Sequence, residues 1–209
     1  MNFLYILVLL IYSNCAPNLE GEIVKSLSNT LYNTNSITNL NNTTIKVGEI
    51  LKVIDTLNVL EEGIFKGSWY KVKYKEKDYY IPSFKTTQLR LEGDKIDLKI
   101  KKFASINDLN YEYHSEDYFY SEEVLIFKQK EIPEVYYIIK QLIRSVKLPD
   151  AINTKLNEDI LKIDYNYNVK SELSFLHLSW LFEGGTIELK FERIDESNDV
   201  KVSLIEDRA

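Results

Sequence analysis

Residues 69–82 read WYKVKYKEKDYYIP, and this stretch decides the fold class. Tyr70, Val72 and Tyr74 alternate with Trp69, Lys71 and Lys73, the period-two pattern of a strand whose two faces meet different surroundings. Lys75-Glu76-Lys77-Asp78 makes a polar turn, and Tyr79-Tyr80-Ile81 returns as a second strand. Pro82 has no N–H to give to a ladder and interrupts the pairing. The stretch therefore reads as a β-hairpin.

Upstream, Thr44 to Asp55 reads TIKVGEILKVID, where Ile50, Lys52 and Ile54 alternate with Leu51, Val53 and Asp55, again a strand. Leu57 to Ser68, with Gly63 and Gly67, reads as a loop or distal hairpin. Asn18 to Asn42 is rich in Asn, Ser and Thr, residues that favour turns, so part of it is tether and part short edge strands.

These segments resemble a bacterial SH3-like (SH3b) domain. Val47-Gly48-Glu49-Ile50-Leu51-Lys52-Val53 matches the family's glycine-led strand, and Trp69-Tyr70-Lys71-Val72 its Trp strand. Tyr79-Tyr80-Ile81 stands where a Gly-aromatic-aliphatic triplet falls, and Leu89 takes the place of the closing leucine. The resemblance covers about a third of the chain, residues 27–92. It implies a small five-strand β-barrel and a part in recognising cell-wall peptide. The residues themselves suggest the surface: Trp69, Tyr79, Tyr80 and Phe84 offer rings of large area with little rotamer entropy to lose, and Lys71 and Lys73 share the Trp69 face. These six are the candidate ligand-binding residues. The same rings also suit the core and rim of a small barrel.

After Gly93 the pattern changes. Lys95 to Lys101 alternates Ile96, Leu98 and Ile100 against charges and predicts a strand. Tyr111 to Tyr120, YEYHSEDYFY, is acidic and tyrosine-rich, and apolar Val124 to Phe127 follows it. Glu131 to Leu148 predicts the main helix: Pro133 suits a first turn, and Val135, Ile138, Ile139, Leu142 and Val146 form an apolar stripe before Pro149 stops it. Ile160 to Val169, Leu173 to Phe182 and Thr186 to Ile194 predict strands, the last two joined at Glu183-Gly184-Gly185. Leu173 to Phe182 is apolar on both faces and predicts a central or covered strand, while Val200, Val202 and Leu204 suggest an added edge strand. The expected fold class is mainly β: a small SH3-like barrel, then an α+β part over residues 93–209 of antiparallel sheet and one main helix.

The amino terminus speaks to location. Phe3 to Tyr12 is an unbroken run of ten apolar residues ending before Cys15, the single cysteine. A membrane-spanning helix needs ~20 such residues, so the run reads as a signal-peptide core over residues 1–14. A lone Cys directly after it resembles the lipobox of bacterial lipoproteins, in its looser spirochaete form. That resemblance implies acylation at Cys15, a lipidated tether over residues 15–26 and anchorage to a membrane of the bacterial cell envelope. Each buried CH₂ of such chains contributes ~0.8 kcal/mol. A plain secretory signal would leave the free thiol unexplained.

The 209 residues include 26 basic and 32 acidic side chains, a net charge of −6, which argues against nucleic acid as a partner. One Cys and two His exclude a Cys/His zinc cage, and one Cys excludes an intrachain disulfide. His114 lies beside Glu112, Glu116 and Asp117, which fits either a metal or acid/base cluster or a solvated acidic loop; the loop is the reading taken. His177, within Leu176-His177-Leu178-Ser179, has no nucleophile motif near it and reads as a sheet histidine. No phosphate-binding loop, dinucleotide fingerprint or nucleophile elbow is present. The expectation is a non-catalytic, cofactor-free binding or scaffold module of the envelope, facing cell-wall peptide (peptidoglycan) or an envelope protein. A hydrolase centred on His114 and a purely structural periplasmic subunit are the alternatives.

Overall fold

The Trp69–Tyr74 alternation lies on β5 (Phe65–Tyr74), whose two faces enter two separate cores. The computed structural model describes residues 21–38, 42–91, 100–116, 118–152, 162–194 and 197–208. Around β5, the strands β1 (Ile23–Ser26), β2 (Thr30–Tyr32), β3 (Asn42–Thr44), β4 (Ile50–Glu62), β6 (Lys77–Pro82) and β7 (Thr86–Thr87) form one antiparallel sheet in the order β3-β2-β6-β5-β4-β1-β7. The sheet curls into a half-barrel. Inside it, Val24, Leu31, Ile45, Leu51, Val53, Tyr70, Val72 and Ile81 are buried together. β4 and β5 run on past the barrel as a long hairpin through Gly63, whose φ of 63° suits a residue without Cβ. The expected distal hairpin is thus a continuation of the same two strands. The β5–β6 turn rests on Lys75 and Glu76, at φ 48° and 63°, a left-handed pair that non-glycine residues adopt at some cost. Ile23–Ser26, expected in the tether, is a strand of the sheet, because Val24 and Ser26 are buried and β1 pairs with both β4 and β7.

The second sheet joins β8 (Asn110–Glu116), β9 (Tyr120–Phe127), β10 (Lys162–Tyr167), β11 (Leu173–Phe182), β12 (Gly185–Ile194) and β13 (Asp199–Arg208) in the order β10-β11-β12-β13-β9-β8, all antiparallel. The apolar run Leu173–Phe182 is an interior strand as expected. The tail is not an edge: β13 lies between β12 and β9, with Val200, Val202, Ser203 and Leu204 all buried. The alternation predicted over Lys95–Lys101 does not make a strand at its described end, where α1 (Ile100–Ile106) begins and Ile100, Phe103 and Ala104 bury at helical spacing; residues 95–99 lie outside the described residues.

α2 (Ile132–Leu142) follows a Glu131 cap, with Pro133 in its first turn. It is shorter than the predicted Glu131–Leu148. Ile143 turns extended, and the chain doubles back so that the Pro149 and Asp150 carbonyls accept hydrogen bonds from the Tyr136 and Tyr137 hydroxyls; Val146 and Leu148 still bury, without helix. α2 packs against β11 and β12 on one side and against β7 and the 3₁₀ turn Ser83–Lys85 on the other. The outer face of the half-barrel, Phe65, Trp69 and Phe84 included, therefore shares one hydrophobic core with α2 and the second sheet. Further ties cross the same junction: Ile64 N–H donates to the Ile152 carbonyl, the Tyr167 hydroxyl to the Ile64 carbonyl and the Gln141 amide to the Leu27 carbonyl.

Candidate functional site

The six candidate ligand-binding residues are divided by the fold. Trp69 is 3% exposed and Phe84 4% exposed. The Trp69 ring meets Tyr32 edge-on at 5.3 Å, and the Phe84 ring stacks on Tyr137 of α2 at 5.7 Å. α2 and the second sheet cover the side of the half-barrel from which they project, and only Phe84 keeps an edge in the wall of a groove. Tyr79 and Tyr80 point to opposite faces as strand alternation requires: Tyr79 packs against the barrel interior and Tyr80 against the shared core. Lys71 pairs with Asp78 at 2.9 Å, which raises the lysine and holds the Asp78 carboxyl below its usual range. Lys73 is exposed, 3.9 Å from Glu76. No shared groove gathers these side chains. Cys15 lies outside the described residues.

The histidines also separate. His114 stands exposed on β8, 3.5 Å from Glu112; Asp117 lies outside the described residues. His177 sits on the face of the second sheet turned away from α2, with Nε2 3.2 Å from Glu188 and Nδ1 3.9 Å from Asp164. Lys190 reaches the same Glu188 at 2.7 Å and, with His177, depresses its carboxyl. Among the described residues no group of three or more Cys, His, Asp or Glu side chains is placed to hold a metal ion, and no helix is long and apolar enough to cross a membrane.

Two hollows lie instead where the half-barrel meets its cover, one at its junction with the second sheet and the start of α2, the other between it and α2 with Asp150. The larger is an open groove of about 770 Å³, within the ~300–1,000 Å³ usual for ligand pockets. Its apolar wall includes Val24, Ile64, Tyr70, Phe84, Pro133 and Leu173, drawn from both sheets and the start of α2. Three lysines, Lys66, Lys130 and Lys170, and three glutamates, Glu131, Glu134 and Glu172, also line it, with Ser68, Thr86 and Thr87 adding hydroxyls. Lys130, just before the α2 cap, pairs with Glu134 at 2.7 Å, and Arg193 clasps Glu131 while lying 3.5 Å from Glu172. Burial, followed by the Glu134 charge, pushes the Tyr70 hydroxyl up to about 12, so it is a neutral hydrogen-bonding group at physiological pH. Gly67 lets the Phe84 ring and Ser83 lie against β5: a Cβ there would stand 2.6 Å from the Phe84 ring and 2.8 Å from Ser83 Oγ. The Ser83 hydroxyl accepts the Ser68 N–H at 3.1 Å and fixes this corner.

The smaller hollow, about 340 Å³, opens beside α2 on the side of Leu27 and Tyr32. Lys85 and Glu62 meet there at 2.8 Å with both side chains almost wholly buried. Burial, then the Glu62 and Asp150 charges, push Tyr32 up to about 12, and the Lys140 ammonium holds Asp150 below the usual carboxylate range. Apart from Phe84, sequence reading had no signal for either hollow, since the walls of the larger come from segments up to about 150 residues apart and those of the smaller from segments up to about 120 apart. Compared with known protein families, curated proteins and solved structures, the chain matches none.

Proposed function

We propose that this chain is a lipid-anchored envelope protein, acylated at Cys15, that holds an extended polypeptide segment without catalysing a reaction. In this reading the half-barrel is an SH3-like barrel, the rest is its α+β companion, and the groove between them is the binding surface. The observation that carries it is that groove: an apolar wall bordered by lysines, glutamates and hydroxyls suits a peptide, which alternates side chains with backbone donors and acceptors. The exposure of His114, outside either hollow, favours binding over hydrolysis. The burial of Trp69 moves the ligand away from most of the aromatic face that the sequence suggests, to a groove that keeps only Phe84 of it.

The soluble part beginning after Cys15 is to be sedimented with purified cell-wall sacculi and, separately, photo-crosslinked in envelope extract from Val59, an exposed groove residue. Wall peptide predicts co-sedimentation; an envelope protein predicts a crosslinked peptide. Val59→Arg and Lys170→Glu, both at exposed positions of the wall, should weaken capture without lowering the melting temperature. If neither experiment yields a partner, or the two variants capture as well as wild type, the groove is not the binding surface.

A further inference from the structure

The smaller hollow contains an ion pair with unused bonding capacity. Burying Lys85 and Glu62, at 6% and 11% side-chain exposure, removes two charges from water, a loss that their attraction offsets only when the remaining donors and acceptors are met. They are not. Among the described residues the Lys85 ammonium, with three N–H groups, donates one hydrogen bond, to Glu62 Oε1, and Glu62 Oε2 accepts none. The ammonium stands 5.3 Å from the Tyr137 ring centre and 6.0 Å from that of Tyr32. Beside the same Tyr137 ring, Lys140 Nζ lies at 5.8 Å and pairs with Asp150. All six of these side chains line one pocket of about 340 Å³.

The charges sum to zero but are set out in two opposite-sign pairs. A simple anion entering here would meet Glu62 and Asp150; a simple cation would meet Lys85 and Lys140. A molecule bearing both signs satisfies both pairs, and the two rings add cation–π attraction for an ammonium. We propose that this pocket binds a small zwitterion, a free amino acid or a dipeptide, its carboxylate held by Lys85 and Lys140 and its ammonium by Glu62 and Asp150 beside the Tyr32 and Tyr137 rings. The site is separate from the groove and does not depend on what the groove holds.

Calorimetric titration of the full chain tests it with four probes: leucine and alanylalanine, which carry both charges, N-acetylleucine, which keeps only the carboxylate, and leucinamide, which keeps only the ammonium. At least one zwitterion should give saturable heat, with each blocked form of leucine at least about tenfold weaker than leucine if leucine binds, the loss of a charge-assisted contact. If alanylalanine alone binds, its N-acetylated and amidated forms serve as the controls. Glu62→Gln should weaken the zwitterion by about tenfold or more. Since that variant leaves a buried ammonium with a poorer partner and can unfold, Lys140→Met gives the second reading: Asp150 is exposed and loses only a surface pair, and binding should again fall by about tenfold. No heat from either zwitterion, a blocked analogue binding as tightly as its parent, or an unchanged affinity in Lys140→Met would each overturn the proposal.

Discussion

Truncating Phe84 tests whether the half-barrel and the second sheet are one cooperative body. Its ring is 4% exposed, stacks on Tyr137 at 5.7 Å, meets Phe65 at 6.0 Å and presses on Gly67. Phe84→Ala should therefore cost ~3–5 kcal/mol, the usual range for deleting a buried aromatic ring in a core that cannot fully collapse. Loss of the two ring pairs, ~0.5–1.5 kcal/mol each, puts the expected value in the upper part of that range. The two tryptophans give an internal reporter for each sheet, Trp69 on β5 and Trp180 on β11. In single-tryptophan variants, with the other changed to Phe, urea unfolding followed by fluorescence should give coincident midpoints. Phe84→Ala should lower both equally, because the ring is part of the core that joins them. Two separate midpoints, with only the Trp69 signal moved by Phe84→Ala, would show that the sheets unfold independently and that the shared core contributes little.

Gly185→Ala should be among the most damaging single substitutions: φ is 140° and a Cβ would fall 1.9 Å from the Asp207 carbonyl oxygen, so the β12–β13 ladder must open, which a fall in melting temperature of the folded chain measures. Val72→Ala, in the barrel interior, should cost ~2 kcal/mol by urea unfolding, and an unchanged midpoint would contradict that core. Alkaline stability follows from the buried phenols. Tyr32 and Tyr70 are raised from 10.0 to about 12, and Tyr136 and Tyr137 are raised as well, all chiefly by burial. The unfolded chain ionises first, so this contribution is whole below pH 10 and declines as pH rises toward 12; tyrosinate absorbance and circular dichroism should change together over that window. Mass spectrometry of the protein from its native host should find an acylated Cys15 as the first residue, and a mature chain starting at Met1 or after Cys15 would end the lipoprotein reading.

What the sequence disclosed was local. Alternation in Trp69–Tyr74 correctly separates Tyr70 and Val72 from Trp69 and Lys71, and Gly184-Gly185 marks the turn into β12. It did not disclose which element covers the Trp69 face, since α2 lies some sixty residues further on and its apolar stripe fits any sheet. The same stripe runs on to Val146, so periodicity extended the helix beyond the point where Tyr136 and Tyr137 need the Pro149 and Asp150 carbonyls. Nothing in the sequence singles out Glu62 or Lys85, and only tertiary packing makes them a buried pair. Alternation over Lys95–Lys101 concealed the Ile100, Phe103, Ala104 spacing that builds α1.

The position of β13 imposes an order on assembly. β8 and β9 form one hairpin and β10 to β12 a meander, and neither touches the other's ladder until β13 is inserted between β9 and β12. Until residues 199–208 have been synthesised, and for an exported chain have crossed the membrane, two hydrogen-bonding edges stay open with Leu125, Phe127, Leu189 and Phe191 beside them. Open edges flanked by apolar side chains recruit other chains, and pairing across some seventy residues is slow. A premature stop before Asp199 should thus produce an aggregating fragment, which makes this late strand the step where a chaperone or a quality-control protease would act.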